Sequence, residues 1–330
     1  MNLARRLERR WYAPLPAPWL LRPLAALHGW IGARRRAWLQ ARAVCLPVPV
    51  IVVGNISVGG TGKTPLVLWL VAELRRLGLR PGVISRGYGG RAPQYPLRVT
   101  AQTPVAHAGD EPLLIVQRSG VPLCVAPDRV AAARALLRDG TVDVLVSDDG
   151  LQHYRLARDL EICVVDGARG LGNGALLPAG PLREPPQRLA SVDLVLVNGP
   201  GWRPAGGPGH RFRLVAGPAQ PLRGGASRPL ADFRGQTVHA VAGIGSPGRF
   251  FALLREAGLD LVEHAFPDHH PYRAAELDFG DGRPVLMTEK DAVKCRTFAP
   301  PHFYHVPVDA QPDETAAHEL RRLLQGLQDL

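Results

Sequence analysis

The chain has 330 residues, 46% hydrophobic and 21% charged, a composition that excludes large-scale disorder and leaves room for two domains. Its net charge is +11, yet nine arginines against the single acid Glu8 lie in residues 1–42, so eight of those eleven charges belong to one short segment; this argues against a nucleic-acid-binding body, and no nucleic-acid partner is expected. Cys45, Cys124, Cys163 and Cys295 form no C-x-x-C pair, which excludes a zinc or disulfide framework, and without an 18-residue apolar run no transmembrane helix is expected.

Residues 1–45 mix this arginine cluster with aromatic and aliphatic side chains. Four of the six tryptophans, Trp11, Trp19, Trp30 and Trp38, fall in the first 38 residues. Tryptophan rings at head-group level and guanidiniums on lipid phosphates are what an interfacial helix needs. A basic helix packed on the body through its aromatic stripe is the alternative. Prolines, Arg22 and His28 interrupt Leu15–Ile31, so it does not read as a cleavable signal.

From residue 46 to about 205 the rhythm changes. The runs 50–55, 82–87, 122–127, 142–150, 161–167 and 192–199 are short, apolar and not alternating, as in strands buried on both faces of a parallel sheet. Residues 65–77 and 128–138 read as crossover helices. A stretch rich in Gly, Pro and Arg at 199–225 suggests a boundary, followed by a smaller α/β unit over 206–312. A closing helix is expected over 313–330. The fold class is therefore α/β and P-loop NTPase-like: a mostly parallel sheet flanked by helices, a second smaller α/β domain, and an N-terminal membrane-associating helix.

The strongest local signal is the apolar strand at 50–54 running into Ser57-Val-Gly-Gly-Thr-Gly-Lys-Thr-Pro65 and then an amphipathic stretch. Strand, glycine-rich loop and helix, in that order, are the context of a Walker A loop. Val58, Gly59, Gly60, Thr61, Gly62, Lys63, Thr64 and Pro65 are its candidate nucleotide-binding residues. The glycines let backbone amides converge on phosphate oxygens. Lys63 would reach the terminal phosphates of ATP, and the Thr64 hydroxyl would bind Mg²⁺. Only three lysines stand among forty basic residues, so Lys63 marks a place for a compact point charge. The first position of the usual spacing is Ser57, not glycine. Asp148 and Asp149 end an apolar strand, where acids that organise a Mg²⁺ shell sit.

Several further segments join these in one order: S-R-G-Y-G-G (85–90), G-D-E-P (109–112), P-D-R (127–129), D-D-G-L-Q-H (148–153), P-A-G-P-L-R-E (178–184), F-P-D-H-H (266–270) and T-E-K-D-A-V-K (288–294). With V-G-N-I-S-V-G-G-T-G-K-T-P (53–65), they resemble the tetraacyldisaccharide 4′-kinase family over nearly the whole chain. The resemblance implies transfer of the ATP γ-phosphate to the 4′-hydroxyl of a lipid A disaccharide 1-phosphate, at the cytoplasmic face of the bacterial inner membrane. The protein is then expected to be a monomer that meets the inner-membrane lipid surface peripherally. It also implies Asp110 as catalytic base and His269 as its partner, with the adjacent His270 able to take that place. Arg86, Tyr88, Arg129, Gln152, His153 and Arg183 become candidates for contact with substrate or phosphate. For Glu289, Lys290 and Asp291 an ion-paired structural role and a substrate contact stay equally open.

Gly59–Thr64 also resembles the deviant Walker A loop of MinD/ParA ATPases, regulatory switches of membranes or DNA. Those carry a signature lysine before the Gly-Gly pair, where this chain has Val58.

Overall fold

The computed structural model describes residues 3–13, 15–205 and 209–327, with side chains from Leu7 onward. The side chains of Arg5 and Arg6, the expected boundary at 206 and the last three residues of the expected closing helix lie outside this range.

Two helices open the chain, α1 (Leu3–Trp11) and α2 (Arg22–Gln40). Then come β1 (Val50–Gly54), α3 (Lys63–Arg76), β2 (Pro81–Ser85), β3 (Leu97–Val99), α4 (Val105–Ala108), α5 (Asp110–Ser119) and β4 (Leu123–Val125). The first unit continues through α6 (Arg129–Leu137), β5 (Val144–Asp148), β6 (Leu160–Asp166), β7 (Leu194–Asn198) and β8 (His210–Ala216). A second set follows: β9 (Gln220–Pro221), β10 (Thr237–Ala242), α7 (Pro247–Glu256), β11 (Asp260–Ala265), β12 (Val285–Thr288), α8 (Glu289–Cys295) and β13 (Phe303–Val306). The described chain ends with β14 (Val308–Pro312) and α9 (Glu314–Gln325).

Nine strands form the larger sheet in the order β14-β8-β7-β6-β1-β5-β2-β4-β3. Its centre is parallel, and only the outermost pairs β14–β8 and β3–β4 run antiparallel. Every residue of β1, β2, β5 and β6 is buried. This explains their unbroken apolar runs: helices cover both faces, so neither face needs polar side chains. Leu66, Leu70 and Leu74 of α3 pack on one face, and Val130, Ala133 and Leu136 of α6 on the other. The smaller sheet is β11-β10-β12-β13-β9, parallel except at β9. Its core is built around Phe233, Phe250, Phe251, Leu254 and Leu286.

The expected 206–312 unit differs from the hydrogen bonding at both of its ends. β8 pairs with β7 and β14 in the larger sheet, so the chain leaves that sheet after Ala216 and rejoins it at Val308. The closing helix is part of the same body, since Ala316, Leu320, Leu324 and Leu327 share a core with β1, α3 and β7 residues. The physical reason is edge protection: β14 covers the exposed side of β8, and α9 buries one face of that corner.

No helix among the described residues is long and apolar enough to cross a membrane. Around α2, however, Trp19, Leu20, Leu24, Leu27, Trp30, Ile31 and Trp38 are all at least half exposed. Only Ala25 of α2 is buried. The helix meets the body at Gly29, where a methyl group would come within 2.7 Å of the Leu176 side chain.

Candidate active site

The phosphate loop begins where β1 stops. Lys63 opens α3, and Gly62 before it has φ of +88°, a left-handed conformation that favours glycine. A methyl group there would also collide with the Asn198 amide at 2.4 Å. That amide donates to Thr61 O at 3.0 Å and pins the loop from β7. Asn55, fully buried, donates to Ser57 O at 2.8 Å and accepts from Lys63 Nζ at 3.2 Å. Val58 N–H donates to Pro181 O at 2.9 Å, so this amide of the loop is already engaged within the protein. Pro65 lies in the first turn of α3, where its missing N–H leaves no helical bond unmade.

The register of β1 and β5 sets Val53 opposite Asp148, which delivers both aspartates beside the loop. Asp149, at φ +48°, pairs with Lys63 at 3.3 Å and with Arg183 at 3.4 Å. Burial pushes its carboxyl up, but the Lys63 and Arg183 charges overcome this and hold it at about 2. Asp148 is 1% exposed; burial, then the Glu111 and Asp149 charges, raise it to about 7. Ser85 Oγ donates to its Oδ2 at 3.4 Å, while Oδ1 is buried with no hydrogen-bond partner among the described residues. An orphaned carboxylate oxygen beside a second carboxylate is a site that a hard divalent cation would satisfy, so the donor set fits Mg²⁺. Asp148, Asp149 and the Thr64 hydroxyl are the residues that would hold it.

Gln152 bridges the loop and Arg183, donating to Asn55 O at 3.0 Å and accepting from Arg183 Nη1 at 3.4 Å. Arg129 is buried, and burial lowers it to about 10 against the partial support of Asp148 and Asp149. His153 is lowered to about 4 by burial and then by Arg129, so it is neutral at pH 7. Its Nε2 accepts from Arg129 N at 3.2 Å, which steadies the start of α6. Arg86 is exposed and shows no hydrogen bond among the described residues.

The second cluster joins the two sheets. Asp110 is the first residue of α5 and is 3% exposed. Its Oδ1 accepts from Glu111 N at 3.0 Å. Its Oδ2 lies 2.9 Å from His269 Nδ1 and 3.4 Å from Lys294 Nζ. His269 takes a left-handed φ of +60°, and the backbone bend sends His270 to Glu276 instead, at 3.1 Å. The partner of Asp110 is therefore His269. The Tyr88 ring, 64% exposed, sits 5.0 Å from the His269 ring. Gly109 explains the first letter of G-D-E-P: at φ +84°, a methyl group on it would lie 2.5 Å from Tyr88 O. Lys290 reaches Glu111 at 3.0 Å and Asp268 at 3.3 Å, while Glu289 pairs with Arg118 at 3.0 Å. Both tie α8 to α5. Asp291 is fully buried and accepts from Gly243 N at 2.8 Å and from Thr288 Oγ1 at 2.6 Å.

Burial pushes Asp110 up, but the His269 hydrogen bond and the Lys290 and Lys294 charges outweigh it and hold the carboxyl below its ordinary value. The same hydrogen bond raises His269. The 243–245 loop links the two clusters. A side chain at Gly245 would lie 3.4 Å from the Gly60 amide and 3.5 Å from Asp268 Oδ2, next to His269. Asn55, Asn198 and Lys294 are site residues that the motifs did not single out. Lys294 alone carried a signal, as one of only three lysines.

A parallel sheet whose β1 feeds a glycine loop and α3, with acids at the end of the neighbouring β5, defines a P-loop NTPase-like phosphotransferase scaffold. A family model described as tetraacyldisaccharide-1-P 4′-kinase matches residues 17–325, and the chain belongs to that family. A tetraacyldisaccharide 4′-kinase of Azotobacter vinelandii (strain DJ) is 55% identical over 321 residues, covering 96% of each chain. One of Pseudomonas aeruginosa (strain LESB58) is 55% identical over 316 residues, covering 94% of this chain and 95% of that one. Among solved structures, LpxK from Aquifex aeolicus, crystallised in complex with ATP, superposes with a TM-score of 0.77 at 28% identity, covering 93% of this chain and 98% of that one.

Proposed function

We propose that this protein is an ATP-dependent lipid kinase that phosphorylates the 4′-hydroxyl of a tetraacyl glucosamine disaccharide 1-phosphate in lipid A biosynthesis. The observation that carries this reading is the presence of two clusters in one chain: a glycine-rich loop whose Lys63 pairs with Asp149, and a buried Asp110 paired with His269. A regulatory ATPase needs the first and has no use for the second, and family membership favours the kinase over the MinD/ParA-like reading. Purified protein with Mg–ATP and the disaccharide acceptor in mixed micelles should yield acceptor carrying one more phosphate. ATP hydrolysis independent of acceptor, with ATP-dependent dimerisation, would instead support the switch.

In this reading the amides of residues 59–64 and Lys63 grip the terminal phosphates, aided by the N-terminus of α3. Mg²⁺, held by Thr64, Asp148 and Asp149, would neutralise charge on the β- and γ-phosphates. Arg183 and Arg129 stand where transferred charge or the acceptor phosphate would need a guanidinium. Tyr88, Arg86, Gln152 and His153 would contact the acceptor or its phosphate. Asp110 accepts the proton of the sugar hydroxyl while His269 orients it.

One observation favours exchanging those two roles. The Asp110 side chain is 2% exposed and that of His269 22%. A buried aspartate on Nδ1 of a more exposed imidazole, whose Nε2 lies 3.7 Å from Asp268 Oδ2, is an arrangement in which the imidazole can take the proton. The acid limb of the rate profile separates the two readings, as argued below.

We also infer a peripheral, monomeric enzyme at the cytoplasmic face of the inner membrane, divided into a nucleotide-binding unit and a second unit over 217–307. The exposed tryptophans and leucines of residues 19–38, interleaved with arginine, support membrane contact. Removing residues 1–42 should weaken binding to anionic vesicles, and wild-type binding should fall with added salt. Sedimentation with vesicles checks this; full retention by the truncated chain would rule the segment out as the anchor.

A further inference from the structure

Arg169, in the loop after β6, touches three parts of the molecule that are distant in sequence. Its guanidinium lies over the Tyr12 ring, 5.1 Å from the ring centroid, and 3.8 Å from Glu8 Oε1, the one acid in the basic N-terminal segment. It donates to Gly245 O at 3.4 Å, in the loop of the smaller sheet that approaches the Gly60 amide. It also stands against the phosphate loop, since a side chain at Gly59 would meet its Nη1 at 3.1 Å. Tyr12 completes the junction by donating from its hydroxyl to Val58 O at 3.3 Å.

The surroundings fix this arginine from below. Buried Asp166 accepts from Ala168 N at 3.0 Å and Arg169 N at 3.2 Å, and pairs with Arg249 of α7 at 3.0 Å. The end of α1 is fastened nearby: Trp11 Nε1 donates to Pro178 O at 3.1 Å, and Asn173 N donates to Trp11 O at 2.8 Å. The seat of α1, the closure of the smaller sheet and the backbone of Val58–Gly60 therefore share one side chain.

We propose that Arg169 is a positioning residue through which α1 and the 243–245 loop set the geometry of the phosphate loop, so that ATP binding and seating of α1 favour one another. Coupling of this kind is reciprocal: the factor by which α1 strengthens nucleotide binding is the factor by which nucleotide strengthens the seating of α1. The proposal rests on the phosphate loop being the ATP site. Its individual contacts are long, so the effect expected is about fivefold, at the lower end of measured couplings.

The test uses the full chain, with Mg–ATP titrated by calorimetry and tryptic cleavage after Arg9 and Arg10, both exposed, followed by mass spectrometry. Arg169→Gln should weaken ATP binding about fivefold and raise the KM for ATP more than it lowers kcat. A residue that only supported the fold would instead lower the melting temperature and the active fraction, leaving KM unchanged. The same variant should speed cleavage at Arg9 and Arg10 even without nucleotide, and ATP should slow that cleavage in the wild type. Tyr12→Phe removes only the hydroxyl and should shift both readouts in the same direction; it carries the measurement if Arg169→Gln does not fold. Unchanged ATP affinity together with unchanged cleavage in the variants would overturn the proposal. A wild-type chain that bound no ATP would count against the phosphate-loop reading, while the nucleotide-free cleavage comparison would still decide whether Arg169 fastens α1.

Discussion

Asp110→Asn is expected to lower kcat by about 10²–10⁴, the range for loss of a positioned acid–base group, while the affinity for Mg–ATP stays close to wild type. The substitution keeps the shape and the hydrogen bond from Glu111 N but removes the charge that faces His269 and Lys294. Because the carboxylate is buried, part of the cost will appear in stability, so melting temperature must be followed alongside rate. His269→Gln is the companion variant. If Asp110 is the base, the acid limb of the wild-type profile falls below the ordinary carboxylate range, and His269→Gln is the milder lesion. If His269 is the base, the limb lies above the ordinary imidazole value, because Asp110 raises it, and His269→Gln is at least as severe.

The same pair sets a sign for stability. The contribution of Asp110 is present above its unfolded pKa and is lost as pH falls through its lowered folded value. That of His269 is present below its unfolded pKa and is lost as pH rises through its raised folded value. Both hold in the window between the ordinary carboxylate and imidazole values. Mildly acid conditions should therefore favour the contact between the two sheets.

Lys63→Ala should reduce kcat/KM by about 10²–10³, the loss seen when a preorganised electrostatic donor is removed from a transition state. Lys63→Arg should rescue little of it. The ammonium, 12% exposed, sits between Asn55 Oδ1 and Asp149 Oδ1, 3.2 and 3.3 Å away, contacts suited to a compact point charge and not to a broad planar fork. Steady-state assays at varied ATP check both variants; wild-type turnover in Lys63→Ala would remove the loop from the mechanism.

The parallel strands were legible because burial on both faces leaves an unbroken apolar run, and the phosphate loop because its glycines and lysine answer to one local geometry. β8 was not. H-R-F-R-L-V-A carries three basic or imidazole side chains in its first four positions and lies among prolines and glycines, so it reads as linker until the sheet is seen. The return of the chain through β14 and α9 was hidden for a similar reason: local pattern shows that an element exists and not which sheet it joins. At the site, Asp148 and Asp149 declared themselves by position at a strand end. Asp110 and His269, 159 residues apart, came only through family resemblance, since no spacing rule links residues that meet across two sheets. The choice between His269 and His270 needed the backbone bend at His269, which the sequence does not display.

The smaller sheet is carried as an insertion whose two crossings run side by side, with Gly217 N donating to Pro307 O at 2.8 Å where β8 ends and β14 begins. Beside those crossings, Lys290–Glu111, Glu289–Arg118 and Arg249–Asp166 add three ion pairs between the insertion and the larger sheet's body. The placement of His269 against Asp110 is thus set by two lengths of backbone and three charged contacts acting together.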